Sequence, residues 1–143
     1  MLNTKLSLDD YSLVIRTDFT DEAKWQQVIE ALQAPDVKHQ FQASVECISD
    51  KACAGLSPAD VCALVPGAPD ERLFVFIVDS LAISHAEHPV LVVDTEDPSR
   101  TFRVIPAAAW AVEANFRLAN MGFDDFELTL DADGIYRQVP ERP

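Results

Sequence analysis

Glycine is scarce in this chain: four in 143 residues, Gly55, Gly67, Gly122 and Gly134, with no two close enough to build a phosphate-cradling loop. Nucleotide binding through a standard glycine motif is therefore excluded. Cysteine is equally sparse. Cys47, Cys53 and Cys62 lack the Cys-x-x-Cys spacing and match no common zinc-ligand pattern, so reduced, partly buried thiols are expected. Basic residues are also few, 11 Lys and Arg against 24 Asp and Glu, for a formal net charge of -13. Phosphate backbones and anionic membrane surfaces attract Lys and Arg. This field repels both, so neither nucleic acid nor a membrane is an expected partner. The longest apolar runs, Leu73–Val78 and Val90–Val93, fall far short of the roughly 20 residues that span a bilayer. The opening MLNTKLSLDDYSLVIR has no apolar stretch ahead of Asp9-Asp10 and does not read as a secretion signal. A soluble cytoplasmic protein is the expectation.

What is present suits one folded domain, with loose ends expected at residues 1–8 and 139–143. Hydrophobic residues make up 48% of the chain and charged residues 24%, both ordinary for a globular protein. A chain of this length buries roughly 68–70% of the surface exposed on unfolding, enough for a real core.

Ser12–Arg16 reads as a strand. Thr20 is a candidate N-cap for a helix whose stripe is Trp25, Val28, Ile29 and Leu32, stopping before Pro35. Phe41–Ile48 alternates as a half-buried strand, with Phe41, Ala43, Val45 and Cys47 on one face. Ser57-Pro58-Ala59-Asp60 is a helix start, and that helix ends at Pro66-Gly67. Leu73–Val78 is a buried strand, and Val90–Asp94 with Thr101–Ile105 forms a hairpin about Asp97-Pro98-Ser99. Pro106 opens a helix to about Asn120, with Trp110, Ala114 and Leu118 as its stripe and Gly122 as its terminus. Phe123–Leu130 is a second helix, and Asp131–Gly134 turns into a last strand, Ile135–Val139. The order β-α-β-α-β-β-β-α-α-β predicts an α/β fold, a mixed five- to six-stranded sheet packed by helices.

Three aspartates, Asp18, Asp79 and Asp94, each follow an apolar strand. Were those strands parallel, the three would meet at the edge where open α/β sheets bind ligands and could hold Mg²⁺. The hairpin reading points the Asp94 strand the other way. His85 and His88, with Glu87 between them, offer a possible general base beside Asp79, but no further cluster completes a ligand set. Ser80, Ser84 and the cysteines lie in no nucleophile elbow. No cofactor motif is found, and no metal is expected from ligand spacing. The run Asp131-Ala-Asp-Gly is better read as a turn than as a calcium loop.

Charge placement says more. Leu73–Ser99 carries Asp79, Glu87, Asp94, Glu96 and Asp97 without a Lys or Arg. Leu118–Tyr136 carries Asp124, Asp125, Glu127, Asp131 and Asp133, again without one. Side by side, the two stretches would make a negative surface that attracts a basic protein.

VIRTDF (Val14–Phe19), FIVDS (Phe76–Ser80), EHPVLVVD (Glu87–Asp94), the Phe102–Phe126 segment and DADGIYR (Asp131–Arg137) together resemble an uncharacterised family of short bacterial proteins, a domain of unknown function. The likeness is weakest across Pro35–Arg72. It implies a bacterial, cytoplasmic, single-domain protein and no activity, substrate or catalytic residue.

These features favour a non-catalytic acidic binding protein, of immunity or antitoxin type, that inhibits a basic protein partner through the ten acids named above. The alternative is a small enzyme using Asp18, Asp79, His85 and His88, with or without a divalent ion. A nucleic-acid mimic is a third reading, resting on charge alone.

Overall fold

The computed structural model describes residues 12–36 and 40–137. Six strands form one mixed sheet in the order β2-β1-β3-β4-β5-β6: β1 (Ser12–Arg16), β2 (Val45–Ile48), β3 (Phe74–Val78), β4 (Val90–Asp94), β5 (Thr101–Val104) and β6 (Ile135–Tyr136). The central strands are continuous apolar runs because helices cover both faces. Side chains alternate accordingly. Val14, Phe76, Val92 and Val104 join one core with α1 (Glu22–Gln33), α3 (Ser80–Ser84), α4 (Ala109–Arg117) and α5 (Phe123–Glu127). Leu13, Ile15, Val75, Ile77, Leu91 and Val93 join a second core under α2 (Pro58–Leu64). Each fully buried aliphatic side chain contributes about 1.5–3 kcal/mol over its exposed state.

β1 pairs in parallel with both β2 and β3. The crossover from β1 to β2 carries α1 on one face. The return from β2 past β1 to β3 carries α2 on the other, as right-handed crossovers in opposite directions require. β3–β4 and β4–β5 are antiparallel, and β6 returns parallel to β5.

Several local signals act one step away from where the sequence pointed. The α1 cap is Asp21, whose carboxylate accepts the Lys24 N–H, because the Thr20 hydroxyl is held by Asp18. Ser80–Ser84, expected as part of a loop, is a single helical turn capped by Asp79. The strand expected from Phe41 begins at Val45, although Ala43 and Val45 are both buried; Phe41 is instead exposed and lies 5.0 Å from the Trp110 ring. The segment after Pro106 opens as a 3₁₀ turn and its helix ends at Arg117, so the buried set is Ala109, Ala111, Val112 and Glu113, and Leu118 is 70% exposed. The small alanines let the helix sit close to the sheet. Gly122 starts α5 rather than ending α4: its N–H is accepted by Asp125, while Ala119 takes the left-handed φ of 55°. β6 spans Ile135–Tyr136, and the last residues of the strand expected there, 138–139, lie outside the described residues, as do both expected loose ends.

Candidate functional site

The register separates the chemistry-bearing residues between the two ends of the sheet. Asp18 follows β1 and Asp79 follows β3, and since these strands are parallel, both residues line an open cleft of about 560 Å³ with Thr17, Phe19, Gly55 and Ser80. β4 runs antiparallel to β3, so Asp94 lies at the opposite end. The three aspartates do not converge.

Within the first cleft the polar groups already have partners. Asp79 receives both terminal nitrogens of Arg103, at 2.9 and 2.7 Å, and its Oδ1 also caps α3 through the Ala82 N–H. Asp18 accepts the Thr20 hydroxyl and N–H, and these bonds hold its carboxyl below the usual carboxylate range. Arg16 is buried. It pairs with Glu22 at 2.7 Å, donates to Ser49 and the Asp18 carbonyl, and stacks on Phe19 and Trp25.

The histidine loop is equally committed. His88 donates from Nδ1 to the Ala82 carbonyl at 2.8 Å, since a carbonyl only accepts. His85 Nδ1 accepts the Glu87 N–H and so closes a turn. Neither histidine lines the cleft that holds Asp18 and Asp79. Among the described residues no three His, Cys, Asp or Glu side chains gather as a metal-ligand set. Burial lifts all three thiols, Cys47 to about 11.

The two acidic stretches do lie side by side, joined by arginines that flank them in sequence. Arg137 binds Glu87 from the first stretch with two bonds of 2.9 Å and reaches Asp131 and Asp133 from the second at 2.8 and 2.6 Å. That guanidinium holds the Glu87 and Asp133 carboxyls below their ordinary values. Four of the ten acids, Asp79, Glu87, Asp131 and Asp133, are thus shared between Arg103 and Arg137.

Of the other six, Asp94, Glu96, Asp97, Asp124, Asp125 and Glu127, two pair directly with Arg100 and two more, Asp94 and Asp97, act on its charge. Arg100 pairs with Glu127 at 3.0 Å and with Asp124, and its guanidinium lies 6.0 Å from the Phe123 ring. Asp94 Oδ1 accepts the Glu96 and Asp97 N–H groups, Asp97 caps Ser99, and Asp125 closes the first turn of α5. Beside them opens a second cleft, of about 340 Å³. Its apolar floor is Leu73, Phe116, Met121 and Phe123, and its acidic rim is Asp94, Glu96 and Asp125. The floor escapes a sequence reading because Leu73 lies up to 50 positions from the other three and joins them only through the packing of α4 and α5 on the sheet. The balancing arginines were visible at the margins of the acid-only windows, at 100 and 137.

A family model described as a domain of unknown function (DUF6924) matches residues 11–139. The chain belongs to that family. No curated protein matches this DUF6924 chain. The match runs from the residue before β1 to just beyond Arg137, so it takes in the whole sheet, both clefts and every arginine that balances the acidic stretches. No helix among the described residues of this DUF6924 domain is long and apolar enough to cross a membrane.

Proposed function

We propose that this protein is a non-catalytic binding module that captures a basic protein partner, in the manner of an immunity or antitoxin protein. One observation carries the reading: at the end of the sheet where β4 stops, an apolar cleft is rimmed by Asp94, Glu96 and Asp125, while nearby Arg100 is paired with Asp124 and Glu127. Such a surface speeds the approach of a cationic protein and gives it apolar area to bury once docked. The reading is tested by mixing the purified protein with the purified product of its neighbouring gene across a salt series. A stoichiometric complex that weakens steeply with salt supports it. A neighbour that is neutral or acidic and does not bind counts against it.

The enzymatic alternative draws on the cleft at the carboxyl ends of β1 and β3, the place where open α/β sheets receive ligands. It ranks second because Asp79 is clamped by Arg103 and Asp18 by Thr20, and the His85–His88 turn does not line the cleft. Thermal-shift titration with Mg²⁺, Mn²⁺ and Zn²⁺ separates the two: a saturable rise in Tm abolished by Asp18→Asn favours the enzyme.

A further inference from the structure

We infer that the cleft between the start of β3 and the α4–α5 connection docks a basic amphipathic segment of the partner, with an apolar side chain on Leu73, Phe116 and Met121 and Lys or Arg on Asp94, Glu96 and Asp125. This inference rests on the binding reading above and names the surface and chemistry that reading leaves open.

The floor is apolar and already in place. Leu73 is 53% exposed, a large aliphatic side chain left in water at the strand entry, and Leu118, directly after α4, is 70% exposed. Phe116 is held beneath by stacking on Phe74 at 4.7 Å and by contact with Phe123 and Phe126 at 5.0 and 5.2 Å, so an incoming side chain meets a rigid surface. Rigid apolar ground loses little entropy on binding, and seating side chains in such pockets is where interface energy concentrates.

The rim sets the sign of the partner. Arg100 is occupied by Asp124 and Glu127, and Asp94, Glu96, Asp97 and Asp125 form no ion pair with another described residue. Asp94, Asp97 and Asp125 accept N–H groups of their own turns, which fixes their carboxylates in place, and Arg100, which Asp94 and Asp97 also influence, is already paired with Asp124 and Glu127. A free metal cation would use the rim and waste the floor. A second copy of this chain brings another -13 and is repelled. A protein segment with apolar and basic side chains on one face satisfies both.

The test uses the full-length protein and a fluorescein-labelled helical peptide of Leu and Lys, about 14 residues or four turns long, read by fluorescence anisotropy. Two further peptides replace Leu by Ser or Lys by Glu. Expected is binding of the Leu/Lys peptide weakened about tenfold by Asp94→Asn/Glu96→Gln/Asp125→Asn, whose amide oxygens keep the turn bonds. Leu73→Ser, at an exposed position, weakens it about fivefold. The charge-matched control Glu30→Gln/Asp50→Asn/Asp21→Asn, whose amide oxygens keep the cap bonds, changes it less than about twofold, the ordinary effect of distant surface charge. Both altered peptides bind weakly, and amide shifts map to Leu73 and residues 119–123. Equal losses in the rim and control variants mean bulk charge attraction and overturn this inference while leaving a basic partner standing. Self-association in sedimentation that blocks the peptide assigns the cleft to a second copy and also overturns it. No binding by any cationic peptide, together with no complex with the neighbouring gene's product, overturns both readings.

Discussion

Arg103 of β5 reaches past β4 to hold both carboxylate oxygens of Asp79, at 2.9 and 2.7 Å, and a third bond of 2.9 Å ties it to the Pro89 carbonyl. The pair locks the end of β3, the first turn of α3 and the entry to β4 together. With 18% and 26% of their side chains exposed, the partners are partly shielded from water, and the paired geometry gains more than a surface ion pair. A double-mutant cycle with Arg103→Met and Asp79→Asn is expected to give a coupling of about 1–2 kcal/mol in urea unfolding. A coupling near zero would show that Asp79 serves mainly as the α3 cap.

Glu113 titrates the other way from the exposed carboxylates. Buried on α4 beside Ser12 and Ser44, it accepts the Ser44 N–H at 2.7 Å, and burial lifts its pKa above the usual value. A raised folded pKa stabilises the fold fully below the unfolded pKa, and that contribution is lost as pH rises through the folded pKa. Glu113→Gln removes the titration. Relative to wild type, the variant should gain stability as the pH is raised from about 4, near the unfolded Glu value, through the raised folded pKa. A stability difference that stays flat across that range refutes the assignment.

Thiol chemistry offers a third check. Cys53 is fully buried, Cys62 is 8% exposed, and Cys47 is pushed up to about 11 by burial. At pH 8 Cys47 is then thiolate in only about one molecule in a thousand. Ellman's reagent should label the native protein slowly and all three cysteines rapidly in denaturant. Fast labelling of native Cys53 or Cys62 would reveal an opened α2 face.

The α5 turn is anchored by its two buried residues, Phe123 and Phe126. Phe126 has no exposed surface and lies 5.2 Å from Phe102 and Phe116 and 5.4 Å from Tyr136. Phe126→Ala should cost about 3–5 kcal/mol by chemical denaturation. It should also loosen Phe116 beneath the acidic cleft, so cationic peptide affinity falls along with stability. Unchanged affinity at reduced stability would separate the cleft floor from the α5 core.

The parts of the fold that could be read from sequence are those where one residue window contains its own cause. Phe74–Val78 and Val90–Asp94 are apolar because both faces are covered, and Ser57-Pro58 caps its helix locally. The five-residue helix at Ser80–Ser84 is too short for a periodicity to show. Gly122 took the role of a helix end on residue type alone, yet its φ of -115° is extended and Asp125 closes on its N–H. The candidate site was half legible. Its acids fall in two acid-only stretches of sequence, but Arg137 meets Glu87 across fifty positions, and Leu73 meets Phe123 only after the sheet has formed. Windows count charges, and pairing depends on the fold.

β6 lies parallel to β5, on its outer side, and is reached only after the chain has passed through α4 and α5. During synthesis β5 is therefore an open edge, with Val104 and Phe102 facing a core that still lacks Tyr136, until residues 135 and 136 have emerged. A nascent chain stalled before that point offers an unpaired strand beside uncovered aromatic rings, the combination that draws aggregation or a chaperone.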